Sequence, residues 1–280
     1  MSLLNNILPK ILKPTSRDIG FTLNAIVYKL KSIGKKRSPS PIFILGNQKS
    51  GTSAIAALLG TLSSSTTAID LFYSDFKYFL FSDWKSQKMT TKEFINKNKV
   101  EFARAIIKEP HLSFFYTELK KEFPNAKFVM IVRNPINNIR SILDRLNIDG
   151  AKNKLDKKDK KKIFHSWNLL FSNHWIGGNK QQYIEVLAER WNIIMDSYFE
   201  NQKDIILVKY EDFLKDKIGI LNKLSEELGL KNTADISTLL NKAFQPKGEK
   251  INQNPIEFFG EENLNKITEL CRKNSQTLGY

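Results

Sequence analysis

The sequence has one cysteine, three histidines and no long apolar run. Because Cys271 has no partner in the chain, an internal disulfide and a thiolate metal cluster are excluded, as is typical of a reducing compartment. No apolar stretch approaches the roughly 18 residues that a membrane-spanning helix needs. We therefore expect a cytoplasmic protein without a spanning or secretory segment.

Acidic residues are also scarce, because 29 Asp and Glu stand against 44 Lys and Arg and leave a net charge of +15. Such an excess indicates an anionic partner: nucleic acid, a lipid surface, a polyanionic acceptor or a charged cofactor. Charge alone does not choose among them. Part of the excess lies in the Lys-rich segment 152–162, for which a solvated face or mobile loop is the ordinary interpretation.

The length of 280 residues and the hydrophobic content of 41% predict one globular α/β domain over residues 42–280. Residues 1–41 form a predicted helical appendage and linker. Its apolar stripe indicates a helix packed on the domain or, alternatively, peripheral contact with an anionic membrane. The stripe consists of Phe21, Leu23, Ile26, Val27, Leu30 and Ile33.

Residues Ile42 to Gly60 organise the chain. Four apolar residues lead into Gly46, a polar turn follows, and an apolar segment begins at Thr52. This pattern predicts a buried strand, a tight loop and a helix. A loop of this kind presents backbone N–H groups at the positive end of a helix, which is a site for phosphate or sulfate.

The loop differs from the common nucleotide-binding pattern G-x-x-x-x-G-K-S/T. Gly46 and Gly51 have the required spacing, but Thr52 occupies the lysine position and Lys49 lies inside the loop. A kinase or NTPase would therefore lack its central cation. A plain strand-to-helix turn remains the alternative for this segment alone.

A second strand-to-helix junction occurs where the apolar segment from Ala126 ends at Val132. Arg133 follows, Asn134 can cap a helix, and Pro135 suits its first turn. A guanidinium at this position can bind a phosphate through two hydrogen bonds. The sequence therefore predicts two anion sites.

Three further elements follow from periodicity. Apolar residues from Leu187 to Tyr198 recur at helical spacing, and residues 205–209 read as a buried strand. Helices are expected from Ile218 to Leu228, ending before Gly229, and from Glu261 to Asn274. The acids Glu211 and Asp212 could cap the first of these helices.

The segment from Gln48 to Ser53 resembles the 5′-phosphosulfate loop of sulfotransferases, which use 3′-phosphoadenosine 5′-phosphosulfate (PAPS) as donor. Arg133 and Ser141 have the spacing with which that family binds the donor's 3′-phosphate. Tyr210, in Tyr-Glu-Asp, resembles the tyrosine near the adenine, and Lys247 with Gly248 resembles the loop that closes on the 3′-phosphate. The implied donor-binding residues are Gln48, Lys49, Ser50, Gly51, Thr52, Ser53, Arg133, Ser141, Tyr210, Lys247 and Gly248.

The same resemblance implies catalytic residues. Asp75 precedes aromatic residues, as a catalytic Glu does in heparan-type sulfotransferases, although Asp is one methylene shorter. Its alternative is a surface residue at a helix start. Lys108 matches a lysine near the transferred group. His111 is a second candidate base, one place from the histidine of the cytosolic members, where this chain has Pro110.

Residues 147–182 carry aromatic side chains that could belong to the acceptor pocket or to the core. His165 and His174 lack a carboxylate partner nearby, so no metal is expected.

The resemblance implies a P-loop NTPase-like central parallel sheet flanked by helices, forming a sulfotransferase domain over residues 42–280. The implied reaction moves a sulfuryl group from PAPS to a hydroxyl or amine without a metal. The Asp75 motif favours a carbohydrate acceptor, and the N-terminal amphipathic stretch leaves a glycolipid open. No nucleic-acid partner is expected. The rival interpretations are a P-loop kinase or NTPase and a non-catalytic basic module that binds nucleic acid or membrane.

Overall fold

A computed structural model describes residues 24–242, 244 and 253–280, apart from residue 26. Five strands form one sheet in the order β2-β3-β1-β4-β5, and every neighbouring pair is parallel. The strands are β1 Ile42–Gly46, β2 Thr67–Ile69, β3 Ile106–Lys108, β4 Lys127–Val132 and β5 Ile205–Lys209.

Helices connect and cover these strands. The α-helices are α1 Thr52–Leu62, α2 Phe72–Phe76, α3 Phe79–Lys85, α4 Thr91–Lys97, α5 Lys99–Phe102, α6 Tyr116–Glu122, α7 Pro135–Arg145, α8 Lys157–Lys162, α9 Tyr183–Glu200, α10 Tyr210–Lys215, α11 Lys217–Glu227 and α12 Pro255–Thr277. Short 3₁₀ helices lie at Pro110–Phe114, His165–Phe171, His174–Ile176 and Ser237–Leu239.

The central strand β1 is buried on both faces, as strands of a parallel sheet covered by helices are. Phe43 and Leu45 pack into the larger apolar cluster with α7, α9 and α12. Ile42 and Ile44 face the other side, where α1 and α11 cover the sheet. The predicted single α/β domain with a central parallel sheet is therefore confirmed.

Local signals set the element ends near the expected places. Asn134 caps α7 by accepting a hydrogen bond from the backbone N–H of Asn137 at 3.2 Å, and Pro135 occupies the first turn. The last helix bends at Gly260, whose φ is 67°, so its second part begins at the predicted Glu261.

The suggestion that Glu211 and Asp212 cap the following helix is wrong. Tyr210–Lys215 forms its own short helix, and Asp216 caps α11 by accepting from the N–H of Gly219 at 2.8 Å. Glu211 instead accepts from the N–H of Asn134 at 3.0 Å and from the hydroxyl of Tyr280 at 2.8 Å. The Glu211 carboxylate therefore joins the start of α7 to Tyr280.

The predicted apolar stripe of the appendage falls partly on Phe21, Leu23 and Ile26, which lie outside the described residues. Its described members Val27, Leu30 and Ile33 are exposed, the last by 74%, so they do not pack on the domain as one interpretation expected. Tyr28 makes the contact, with its hydroxyl 2.5 Å from Glu101 Oε2. The appendage boundary at residue 41 remains a prediction.

No helix within the described part of the chain combines the length and the apolarity required to cross a membrane.

Candidate active site

The loop between β1 and α1 lies at the carboxyl edge of the sheet. Lys49 and Gly51 both have left-handed backbone conformations, with φ of 65° and 89°. The loop turns back on itself where the N–H of Ser50 donates to Asn47 O at 3.2 Å. Helix α1 has no side-chain cap, so its first turn, which contains buried Thr52 and Ser53, offers backbone N–H groups and a positive dipole end.

Asn138, which is fully buried on α7, holds this loop in place. Its Nδ2 donates to Gln48 O at 2.8 Å and to Ser50 Oγ at 3.0 Å, and its Oδ1 accepts from Asn47 Nδ2 at 2.9 Å. The sequence analysis missed this residue. It could have been found from its helical spacing with Ser141 and Arg145, because this spacing puts all three residues on one face of α7.

Arg133 contacts the loop from the end of β4. Its Nη1 donates to Lys49 O at 2.8 Å, and its guanidinium lies 4.9 Å from the centre of the Tyr210 ring. The same ring packs on Gly51, where a Cβ would be 2.3 Å from Tyr210 Cδ2. Arg133, Gly51 and Tyr210, which were predicted separately as donor-binding residues, therefore lie together.

The other predicted 3′-phosphate residues are less completely defined. Ser141 is half-buried on α7, two turns after the helix begins. Next to it, Arg140 donates to Gln253 O at 2.8 Å. Lys247 and Gly248 lie outside the described residues.

A pocket of about 220 Å³ opens beside the loop. It brings together six of the predicted site residues. Its walls consist of Gln48, Lys49, Thr52, Asp70, Asp75, Lys108, Glu109, Pro110, His111, Arg145, Phe164, Ser166 and Trp167. Apolar, acidic and basic groups therefore share one small space.

Lys49 is the main cation on the loop side of the pocket. Burial, together with the positive charges of Arg145 and Arg133, lowers the pKa of its ammonium group to about 8. The group is therefore protonated below pH 8 and titrates within the range of ordinary assays. Arg145, the last residue of α7, was not predicted as a site residue.

Lys108 is buried at the end of β3 and its Nζ bonds to Asp70 Oδ1. Asp70 follows β2 with a left-handed φ of 63°, and its N–H donates to Lys108 O at 2.8 Å. Burial raises the pKa of the Asp70 carboxyl, although Lys108 opposes this shift. The sequence analysis passed over Asp70 because it lies inside a short apolar stretch.

His111 lies in the pocket wall with only 1% of its surface exposed. Its Nδ1 is 2.9 Å from Glu109 Oε1, and its Nε2 is 3.4 Å from Gln48 Nε2. Burial lowers the pKa of the imidazole, so it is neutral. The Gln48 amide nitrogen also lies 3.2 Å from Nδ1. Because the carboxylate of Glu109 assigns the hydrogen to Nδ1, Nε2 is the ring nitrogen that can accept from this amide.

Asp75 faces the same pocket from α2. Its Oδ1 accepts a hydrogen bond from Ser166 Oγ, and its Oδ2 is 3.7 Å from His165 Nδ1. The side chain is 39% exposed. Asp75 therefore lies in the pocket with Lys49 and Lys108. The sequence alone could not distinguish this carboxylate from a surface residue.

The aromatic residues of 147–182 lie in two places. Trp175 packs in the core, with its ring 5.4 Å from that of Phe114 in an edge-on contact. Phe164 and Trp167 line the pocket, with ring centres 5.7 Å apart. Among the described residues, no group of three or more His, Cys, Asp or Glu is arranged to hold a metal. The expected independence from metal stays a prediction.

A family model described as "Sulfotransferase family" matches residues 64–235, more than half of the chain. The chain therefore belongs to the sulfotransferase family and is an enzyme of that PAPS-dependent class. The match begins after the β1–α1 loop, so the assignment of that loop rests on its own residues and geometry.

Similar solved structures are sulfotransferases as well. STF9 from Mycobacterium avium is 10% identical, with 93% of this chain and 82% of that chain covered and a TM-score of 0.52. STF1 from Mycobacterium tuberculosis is 12% identical, with 89% and 80% covered and a TM-score of 0.50. At this identity the likeness shows the fold alone. A search of curated proteins gave no match.

The contact between Gly51 and Tyr210 gives a testable prediction. In Gly51→Ala the new Cβ must displace the Tyr210 ring, which lies against Arg133. We expect binding of adenosine 3′,5′-bisphosphate to weaken on the order of tenfold, equivalent to ~1.4 kcal/mol, as measured by calorimetry.

Gly177→Ala is the matched control, because Gly177 has a φ of 85° and a Cβ there meets nothing within 4 Å. Both variants lose ~1–2 kcal/mol of folding free energy through the left-handed backbone, measured by urea unfolding. Equal nucleotide affinities in the two variants would contradict a role for the Gly51–Tyr210 contact.

Proposed function

We propose that this enzyme transfers the sulfuryl group of PAPS to a hydroxyl or amine of a carbohydrate or glycolipid acceptor and releases adenosine 3′,5′-bisphosphate. The observation that carries the proposal is that Lys49, Lys108 and Asp75 line one pocket at the carboxyl edge of the sheet. Two cations and a carboxylate are what sulfuryl transfer to a hydroxyl requires.

The donor set fits a doubly anionic nucleotide. Backbone N–H groups of Ser50 to Ser53 and the side chains of Gln48 and Lys49 would bind the 5′-phosphosulfate. Arg133 with Ser141 would bind the 3′-phosphate. The guanidinium has five N–H donors and donates one of them to Lys49 O, so the others can bind the phosphate. Tyr210 would contact the adenine, and Lys247 and Gly248 would contribute from outside the described residues.

In the transfer step, negative charge develops on the phosphate oxygen that leaves the sulfur. Lys49 would stabilise that charge, and Lys108 would neutralise the sulfuryl oxygens. The geometry is an in-line displacement, in which positioning and electrostatics supply most of the rate. Lysine side chains would take the place that magnesium has in phosphoryl transfer.

Three groups could accept the proton of the acceptor hydroxyl. His111 is the weakest candidate, because it is buried and both ring nitrogens have partners, so we assign it the positioning of Gln48. Protonation of Asp70 would leave buried Lys108 without its ion-pair partner. Asp75 Oδ1 accepts a hydrogen bond from neutral Ser166, and its partly exposed side chain is not held by a lysine among the described residues, so we propose it as the base.

The acceptor side of the pocket favours a sugar. Phe164 and Trp167 present half-buried rings on which the C–H face of a sugar can stack. Asp70 and Asp75 add partly exposed carboxylates that accept hydrogen bonds from hydroxyl groups. A phenol or steroid would place apolar surface against these charges, which is unfavourable.

The acceptor class can be tested with PAPS labelled in its sulfuryl group. Label should appear in sugars or glycolipids and not in phenols or peptides, because only polyhydroxylated acceptors match the polar wall. Transfer should proceed with a chelator present, and ATP should not replace PAPS. Transfer to phenols alone would contradict the proposed acceptor class while leaving the reaction type intact.

The shifted pKa of Lys49 predicts an alkaline limit to activity. Because the pKa is lowered to about 8, the cation is lost as pH rises through that value. The value of kcat/KM for PAPS, which reports the free enzyme, should therefore fall above about pH 8.

Lys49→Arg should keep activity and move this limit upwards, because a guanidinium stays protonated. Lys49→Ala should lose at least about 10²-fold in kcat, as loss of a transition-state donor does. If Lys49→Arg leaves the alkaline limit where it was, another group titrates there.

The choice of base can be tested by two isosteric variants. Asp75→Asn should lower kcat by about 10²- to 10⁴-fold with nearly unchanged affinity for adenosine 3′,5′-bisphosphate. Asp70→Asn should lower kcat less and change KM for PAPS, because it frees Lys108 from its partner. A larger loss of kcat in Asp70→Asn than in Asp75→Asn would transfer the role of base to Asp70.

A further inference from the structure

Glu109 is a buried carboxylate in the pocket wall, between β3 and the 3₁₀ helix that follows it. Three N–H donors converge on it. Its Oε1 accepts from the backbone N–H of His111 at 3.0 Å and from His111 Nδ1 at 2.9 Å. Its Oε2 accepts from the backbone N–H of Leu71 at 3.2 Å. The transfer mechanism described above uses none of these contacts.

The contact with His111 leads to the loop between β1 and α1. Because Glu109 accepts from Nδ1, the hydrogen of the neutral imidazole stays there, and Nε2 keeps a lone pair for Gln48 Nε2 at 3.4 Å. With the hydrogen on Nε2 instead, Gln48 would have to turn its amide over to keep this contact. The Glu109 carboxylate therefore fixes which end of the Gln48 amide faces the imidazole.

The contact with Leu71 leads to the pocket wall that carries Asp70 and Asp75. Leu71 immediately precedes α2, on which Asp75 lies. It follows Asp70, whose backbone is left-handed with a φ of 63°. Two consecutive N–H groups donate to the end of β3, that of Asp70 to Lys108 O at 2.8 Å and that of Leu71 to Glu109. Because a left-handed backbone is unfavourable outside glycine, these hydrogen bonds hold the turn that leads into α2.

The negative charge of Glu109 also balances buried cations. Burial by itself would raise the pKa of its carboxyl, but the hydrogen bonds from His111 and the charge of Lys108 hold that pKa below its ordinary value. Arg190 on α9 is fully buried, and burial lowers the pKa of its guanidinium to about 9, a shift that the charge of Glu109 opposes. An amide at position 109 would have one acceptor oxygen and no charge.

We propose that Glu109 is a positioning residue that joins the two walls of the pocket, because one carboxylate orients His111 towards Gln48 and holds the residue before the helix of Asp75. This rests on the proposed function, in which Gln48 binds the donor and Asp75 accepts the proton. Both oxygens of Glu109 accept from N–H groups of the chain, so it acts through these neighbours rather than on the substrate.

The tautomer of His111 tests the first link without turnover. The chain has three histidines, so protein labelled with the heavy nitrogen isotope in histidine gives few signals, and those of His111 are identified by their loss in His111→Gln. Long-range proton–nitrogen correlation spectra distinguish a ring nitrogen that carries hydrogen from one that does not. We expect the hydrogen on Nδ1 in the wild type at neutral pH.

In Glu109→Met we expect the hydrogen to move to Nε2. The variant has no acceptor for Nδ1–H, whereas Gln48 Nε2 lies 3.2 Å from Nδ1 and can donate to that nitrogen once it is bare. Glu109→Gln restores one acceptor oxygen, so it should return the hydrogen to Nδ1.

Turnover tests both links together, with the sugar that takes up most label from PAPS as the acceptor. Glu109→Met should lose on the order of 10²-fold in kcat, as displacement of positioned groups does. Glu109→Gln should lose on the order of tenfold, because its amide can accept from His111 or from Leu71 but not from both.

Glu189 on α9 provides the matched control. Its carboxylate also accepts from a backbone N–H, that of Asn179 at 2.9 Å, and from a side chain, Asn173 Nδ2 at 3.0 Å, but it does not line the pocket. Glu189→Met should leave the His111 spectrum unchanged and lower kcat less than Glu109→Gln does. Urea unfolding of all variants shows which of them are folded.

Three results would overturn the proposal. They are hydrogen on Nε2 of His111 in the wild type, hydrogen remaining on Nδ1 in folded Glu109→Met, and a loss of kcat in Glu109→Met no greater than that in Glu189→Met. If Glu109→Met does not fold, wild-type kcat in Glu109→Gln would overturn it instead. If no sugar accepts label from PAPS with the wild type, the proposed function fails, whereas the tautomer of His111 still decides the role of Glu109.

Discussion

The hydrogen bonds of one buried amide hold the loop between β1 and α1. Asn138 reaches from α7 to a side chain, a carbonyl and a hydroxyl of residues 47–50. Because the loop contains a left-handed lysine and a left-handed glycine, its backbone would not keep this shape by local preference alone. The position of Lys49, and hence of the pocket wall it forms, depends on this contact between the first and second strand-to-helix units.

The pocket balances opposite charges at short range. Lys49 has a lowered pKa because it is buried near other cations, whereas Asp70 has a raised one because it is buried near other acids. Lys49 nevertheless stays protonated at neutral pH, and Asp70 has its counter-charge in Lys108, whose Nζ bonds to its Oδ1. Under the proposed function, the doubly anionic donor would add negative charge beside Lys49, and the neutral acceptor hydroxyl would lie on the acidic side.

The fold explains why this chain can share so few identical residues with similar structures and still have the same architecture. A parallel sheet covered by helices needs only buried apolar strands, which many sequences supply. The proposed site needs particular groups at the carboxyl ends of these strands, and Lys49, Lys108 and Arg133 lie there. The proposed acceptor side, which includes Asp75 of α2 and Phe164, Ser166 and Trp167 after α8, is built from excursions between the strands.

Much of the donor side could be predicted from the sequence. The strand, loop and helix around Lys49 and the Asn134 cap with Pro135 are local patterns, confirmed because their residues lie next to one another in the chain. The acceptor side could not be predicted in this way. Asp70 lay hidden in a short apolar stretch, and the Lys-rich segment had the composition of a loop. On the loop side, Asn138 was missed as well, because it was one polar residue on an amphipathic helix.

The sequence by itself determined that the chain has two strand-to-helix junctions with a cation at each, since apolar runs, glycines and caps act over a few residues. Only the tertiary structure decided which acids and cations share a pocket. Asp70 and Lys108 are 38 residues apart in the chain, and they meet because β2 and β3 are parallel neighbours whose carboxyl ends lie at one edge of the sheet.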